Sequence, residues 1–134
     1  MQVILIITGF AGLWDGFTTF YGLSEIMGVS DVMELKSIEM TKIIASACFA
    51  LVITGFLFAT KTIWEISKHN AIAPILRFLW FIAFSYDVYT SFYGNQAFIF
   101  SGNINDEQII MLVGMTVLVS ASPIVYSYLI DNGY

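Results

Sequence analysis

Four long apolar runs, separated by short polar stretches, organise this chain: about 3–23, 43–63, 74–94 and 108–130. None alternates apolar and polar residues with period two, so strands are not predicted. Each run reaches the roughly 20 residues that a helix needs to cross a bilayer. Backbone polar groups in lipid must find partners within their own segment, and a helix provides them. The pattern predicts an all-α membrane protein with four transmembrane helices in one domain, residues 1–134.

The connections carry their own signals. In 24–42, Asp31 and Glu34 have capping-box spacing, and Val32, Met33, Leu35, Ile38 and Met40 give a short interfacial helix one apolar side. The second helix is expected to run on through K-T-I-W-E-I-S-K, because Lys61–Glu65 and Glu65–Lys68 are helix-neighbour pairs. Pro74 fits the first position of the third helix. Asn105 and Gln108 form a second capping pair. Pro123, inside the last run, predicts a kink.

Two of the runs contain the same phrase. Residues 14–22 read W-D-G-F-T-T-F-Y-G and residues 86–94 read Y-D-V-Y-T-S-F-Y-G. Asp15/Asp87, Thr18/Thr90, Phe20/Phe92, Tyr21/Tyr93 and Gly22/Gly94 are identical at a constant spacing of 72 residues. Thr19 answers to Ser91. The other two runs align more weakly, through I-I-A-S (43–46) over I-I-M-L (109–112) and Thr54 over Ser120. The chain therefore reads as two tandem parallel hairpin repeats, about 1–66 and 70–134, related by a pseudo-twofold axis along the membrane normal.

Helical spacing gives the phrase a geometry. Thr8, Ala11, Gly12, Asp15, Thr18, Thr19 and Gly22 fall on one side of the first helix, a small or polar ridge along its length. Ala83, Asp87, Thr90, Ser91 and Gly94 do the same on the third. Small and polar residues are where membrane helices approach closely and hydrogen-bond to one another. The other side of the first helix, with Leu5, Phe10, Leu13, Phe17 and Phe20, is expected to meet lipid.

A carboxylate at a helix centre costs about 2.5–3.5 kcal/mol on insertion scales. A repeated one is therefore a functional-site hypothesis by default. Two facing aspartates can share a proton, and hydroxyls three and four residues on can donate to them or help coordinate a small cation. The candidate site is Asp15, Thr18, Thr19, Asp87, Thr90 and Ser91, with Tyr21 and Tyr93 as an outer gate. The competing reading makes the same residues interhelical glue.

Composition agrees with the membrane assignment. Charged residues make up 11% of the chain, hydrophobic residues 58%, and mean hydropathy is +0.82, whereas a soluble domain carries about a quarter charged residues. Five scattered basic residues cannot build a phosphate-binding stripe, so no nucleic acid is expected. Cys48 and His69 are each the sole residue of their kind, which removes disulfide and zinc spacing. No metal or cofactor is expected. The first run holds Asp15 and has no preceding Lys or Arg, so it is not read as a cleavable leader.

Two intramembrane aspartates also raise an aspartic-protease chemistry. Tyr86-Asp87 resembles the Y-D half of the presenilin-like intramembrane protease signature. The G-x-G-D half is missing at Leu13-Trp14-Asp15, and Pro123 is followed by Ile124-Val125 rather than Ala-Leu. The chain is not expected to be an enzyme.

Lys61, Lys68 and Arg77 flank the middle connection, against Lys36 and Lys42 beside four acids in 24–42 and no basic residue in 95–107. The positive-inside rule places 61–77 and both termini in the cytoplasm. Trp64, Tyr126 and Tyr128 then fall at the inner interface, with Tyr21 and Tyr93 at the outer one. Arg77, about 15 Å along the helix from Asp87, is expected to snorkel to the interface. The sequence is read as a channel- or transporter-type subunit passing protons or monovalent cations in a lipid bilayer, as a homo-oligomer. The alternative is a non-catalytic structural or assembly subunit of a larger membrane complex, docked through its Asp/Thr ridges. A conducting site needs hydrated carboxylates; glue needs dry, mutually bonded ones.

Overall fold

A computed structural model describes residues 2–29, 39–66, 70–100 and 104–131. These residues form five helices and no strand: α1 (Gln2–Ile26), α2 (Met40–Phe58), α3 (Thr60–Glu65), α4 (Ala73–Ile99) and α5 (Asp106–Asp131). Three of them, α1, α2 and α5, are long and apolar enough to cross a membrane. The expected interfacial helix with Asp31 and Glu34, and the Glu65–Lys68 pair, lie outside the described residues.

The burial pattern is inverted relative to a water-soluble protein. Asp15, Thr18, Thr19, Ser46, Asp87, Thr90, Ser91 and Asn95 are completely buried, while Leu51, Ile110 and Leu118 are each 74% exposed. In lipid this is the favourable arrangement, because apolar side chains gain nothing by leaving hydrocarbon and polar groups must find partners inside.

Contacts fix the helix directions. Gly12 lies against Phe58 and Gly16 against Thr54, and Ser46 reaches Met27, so α2 runs opposite to α1. Gly9 lies against Tyr126 and Asp15 against Ser120, so α5 also runs opposite to α1. Tyr86 meets Phe49 and Trp80 packs with Leu57 and Ile63, so α4 runs opposite to α2.

Two elements depart from expectation at their ends. The second helix does not run on unbroken: it stops at Phe58, Ala59 interrupts it, and α3 restarts at Thr60. The Thr60 hydroxyl donates to the Leu57 carbonyl, the local side-chain bond that competes with helix continuation. Thr60 also accepts from Trp80 Nε1 at 2.9 Å, which ties the break to α4. Pro74 occupies the second rather than the first position of α4, behind Ala73. Lys61 and Glu65 pair at 3.8 Å as their spacing predicts.

The α5 start is a reciprocal capping box. Asn105 Oδ1 accepts from the Gln108 amide at 2.8 Å, and Gln108 Oε1 accepts from the Asn105 amide at 3.0 Å. Asn105→Ala is expected to lower stability by about 1 kcal/mol, read as an earlier unfolding midpoint. Farther along, Pro123 cannot donate to the Val119 carbonyl. Ser122 Oγ does so instead, at 2.6 Å, which lets a buried proline sit inside α5.

Candidate functional site

The twin ridges of α1 and α4 meet each other. A Cβ added to Gly22 would sit 1.9 Å from the Thr90 carbonyl oxygen, and one added to Gly94 would sit 1.9 Å from the Thr18 carbonyl oxygen. These are the same contact seen from either repeat: each phrase-ending glycine receives the backbone of the other phrase's threonine. No residue with a side chain fits at either point.

Close approach brings the polar side chains together across the seam. Ser91 Oγ donates to Asp15 Oδ1 at 3.2 Å, and Thr19 Oγ1 donates to Asp87 Oδ1 at 2.8 Å. The two hydroxyls lie 2.9 Å apart. Swapping the repeats exchanges Asp15 with Asp87 and Thr19 with Ser91, so the cluster maps onto itself. Sequence spacing suggested that hydroxyls would serve the aspartate on their own helix. They serve the aspartate on the other helix instead.

Thr18 and Thr90 play a different part. Thr90 Oγ1 donates to the Tyr86 and Asp87 carbonyls of its own helix, at 2.8 and 3.2 Å. Thr18 Oγ1 lies 3.1 Å from the Asp15 carbonyl and 3.2 Å from Ser91 Oγ. Neither hydroxyl bonds a carboxyl group. Both threonines are completely buried, and their carbonyls form the glycine contacts.

Ser120, in α5, enters as a third-helix partner that the phrase does not contain. Its Oγ donates to Asp15 Oδ1 at 3.2 Å. The weak alignment of Thr54 over Ser120 is the only sequence signal for it. Thr54 itself is buried with no partner for its hydroxyl. Trp14 and Asn95 form a second bridge, with Trp14 Nε1 donating to Asn95 Oδ1 at 3.2 Å and Asn95 Nδ2 to Thr116 Oγ1 at 3.4 Å. Asn95 escapes the repeat because its counterpart 72 residues earlier is Leu23. It lies four residues after Ser91, and that helical spacing would have found it.

Each aspartate has one buried carboxyl oxygen, Oδ2, that no hydroxyl or N–H group reaches. The two carboxyl groups are themselves neighbours. A cluster of three or more His, Cys, Asp or Glu side chains that could hold a metal ion does not occur among the described residues.

The gate residues are placed apart from this cluster. Tyr21 joins Trp14, Phe17 and Phe98 in an aromatic group, with ring centroids 5.4–6.2 Å apart. Phe17 is thus packed rather than lipid-facing. Tyr93 is 42% exposed and packs edge-on against Tyr89 at 4.9 Å. Arg77 turns away from Asp87: its Nη2 donates to the Trp64 and Ile66 carbonyls at 3.2 and 3.0 Å, and its guanidinium lies 5.4 Å from the Trp64 ring. A cation there satisfies the open carbonyls that end α3.

Comparison with protein families, curated proteins and solved structures returns no match. Fold and site together define a class only: an all-helical protein of membrane-spanning composition with a buried, twofold-like acid–hydroxyl cluster.

Proposed function

We propose that this is a four-span integral membrane protein of channel or transporter type, in which Asp15 and Asp87 handle a proton or a monovalent cation in an occluded state. One observation carries the reading: two completely buried carboxyl groups lie side by side, close enough to share a proton. Two adjacent buried acids are costly in a membrane helix and by default mark an ion or proton site. α4 serves as the fourth span. Its 27 residues extend about 40 Å, its Asp87, Thr90, Ser91 and Asn95 are buried, and Phe78, Phe81 and Ile82 are exposed. The twin glycine contacts and the opposed directions of α2 and α5 relative to α1 support two tandem hairpin repeats. Assembly as a homo-oligomer, or within a membrane complex, supplies the access that four helices alone do not enclose.

A second reading has its own support. The ridges are occupied by one another within a single chain, and every hydroxyl among them has a partner. On this reading the cluster is internal glue. Reconstitution separates the two: the chain in proteoliposomes should dissipate an imposed proton or alkali-cation gradient, and protein that is folded yet passes neither leaves the packing role standing.

The positive-inside argument places 61–77 and both termini in the cytoplasm. With the exposed Cys48 replaced by alanine, Asn70→Cys should resist a membrane-impermeant thiol reagent added outside intact cells, and Asn105→Cys should react. The opposite pattern inverts the topology.

A further inference from the structure

The hydrogen atoms of the cluster can be counted. Asp15 Oδ1, Ser91 Oγ, Thr19 Oγ1 and Asp87 Oδ1 form a continuous row with oxygen–oxygen separations of 3.2, 2.9 and 2.8 Å. That row has three links. A hydroxyl supplies one hydrogen and an ionised carboxylate supplies none. With both aspartates ionised, the row therefore holds two hydrogens, and one of its links sets two lone pairs against each other in a dry interior. A third hydrogen, carried by either aspartate, completes all three links at once.

We infer that Asp15, Ser91, Thr19 and Asp87 form a proton wire that holds one exchangeable proton and passes it between the two aspartates. In one polarity, Asp15 Oδ1–H donates to Ser91, Ser91 to Thr19, and Thr19 to ionised Asp87. In the other, Asp87 Oδ1–H donates to Thr19, Thr19 to Ser91, and Ser91 to ionised Asp15. Passage from the first to the second moves each of the three hydrogens across its own link, from Asp15 to Ser91, from Ser91 to Thr19 and from Thr19 to Asp87. Asp15 ends one proton poorer, Asp87 one richer, and both hydroxyls are regenerated. The repeat makes the two polarities near equivalents, since exchanging the repeats turns one into the other. Ser120 of α5 donates to Asp15 Oδ1 at 3.2 Å and also lies within hydrogen-bonding reach of Asp87, so a third helix touches both ends of the row. The remaining partner of the row, Thr18, approaches Ser91 at 3.2 Å, where Ser91 still has a lone pair to accept it.

This inference rests on the ion-handling reading and narrows its species to the proton. Thr19→Val and Ser91→Ala each delete one oxygen from the row. In proteoliposomes they should lower proton flux by about a hundredfold, the low end of what a positioned proton-transfer group contributes. Thr19→Ser and Ser91→Thr keep both hydroxyls and should retain flux, which guards against a packing effect. Should the proton pass directly between the neighbouring carboxyls, the Val and Ala variants would conduct like wild type, and the wire falls while the ion-handling reading survives. A second readout does not involve transport. Infrared difference spectra of the full chain should show one carboxylic-acid carbonyl band, shifted in Thr19→Val and Ser91→Ala and lost in Asp15→Asn/Asp87→Asn. A wild-type spectrum without that band overturns the wire whatever the flux assay reports.

Discussion

Alanine at Gly22 or Gly94 is expected to force α1 and α4 apart and to destabilise the protein more than any other single-methyl addition. The added carbon would meet backbone oxygen at 1.9 Å, so relief cannot come from a side-chain rotation. One helix must move. Overpacking a membrane or soluble core typically costs about 1–3 kcal/mol, and these sites should fall at or above the upper end. Because the two contacts mirror one another, each glycine against the other phrase's threonine carbonyl, the two variants should be hurt alike. Gly55→Ala and Gly114→Ala are the controls: a Cβ at either meets nothing within 4 Å. They should be neutral or stabilising by up to about 1 kcal/mol, since alanine is the better helix former. Detergent-titrated unfolding followed by tryptophan fluorescence reads the difference, with Trp14 reporting from the seam. Equal stability across all four variants would mean that the helices do not cross at the paired glycines.

The second large effect lies at the aspartates, and it separates shape from charge. Asparagine keeps a carbonyl oxygen where the carboxyl oxygen was, whereas leucine keeps none. Both are neutral, so comparing them leaves out the cost of burying a charge. Each hydroxyl orphaned by leucine costs about 1–3 kcal/mol. Asp15 receives Ser91 and Ser120, and Asp87 receives Thr19. Because Ser120 also lies within reach of Asp87, Asp15→Leu and Asp87→Leu should each be less stable than the matching asparagine variant by at least about 1–3 kcal/mol. The same unfolding assay measures both gaps. Leucine variants as stable as their asparagine counterparts would contradict the hydroxyl bonds to the two carboxyl groups.

Much of the site was legible because two independent patterns coincide in it. The repeated phrase marked Asp15 and Asp87, and the helical period collected Thr18, Thr19, Thr90 and Ser91 onto the same faces. All six are completely buried at one seam. What the sequence could not supply was the pairing. Whether a hydroxyl serves its own helix or its neighbour depends on how closely the backbones approach, and that distance is set jointly by Gly22 and Gly94. Asn95 and Ser120 both lie outside the phrase: Asn95 is one helical turn past Ser91 on the seam face of α4, and Ser120 reaches the cluster only because α5 packs against it. The interruption at Ala59 had no local breaker to announce it, because neither glycine nor proline lies between Gly55 and Pro74. Thr60 and Trp80 create it through a contact 20 residues apart. Arg77, too, took a partner at the end of α3 that spacing along its own helix does not reveal.

If the buried aspartates exchange an ion rather than merely hold helices together, their charge must matter more than their shape. Asp15→Asn and Asp87→Asn test it most directly, measured as gradient-driven flux in proteoliposomes beside unfolding of the same preparations. Asparagine retains the size and a hydrogen-bonding oxygen but cannot release a proton or carry a negative charge. Each single variant is expected to fold near wild-type stability and to lose flux to the level of protein-free vesicles. Wild-type flux in both folded variants would contradict it and leave the Asp15–Asp87 seam a packing device.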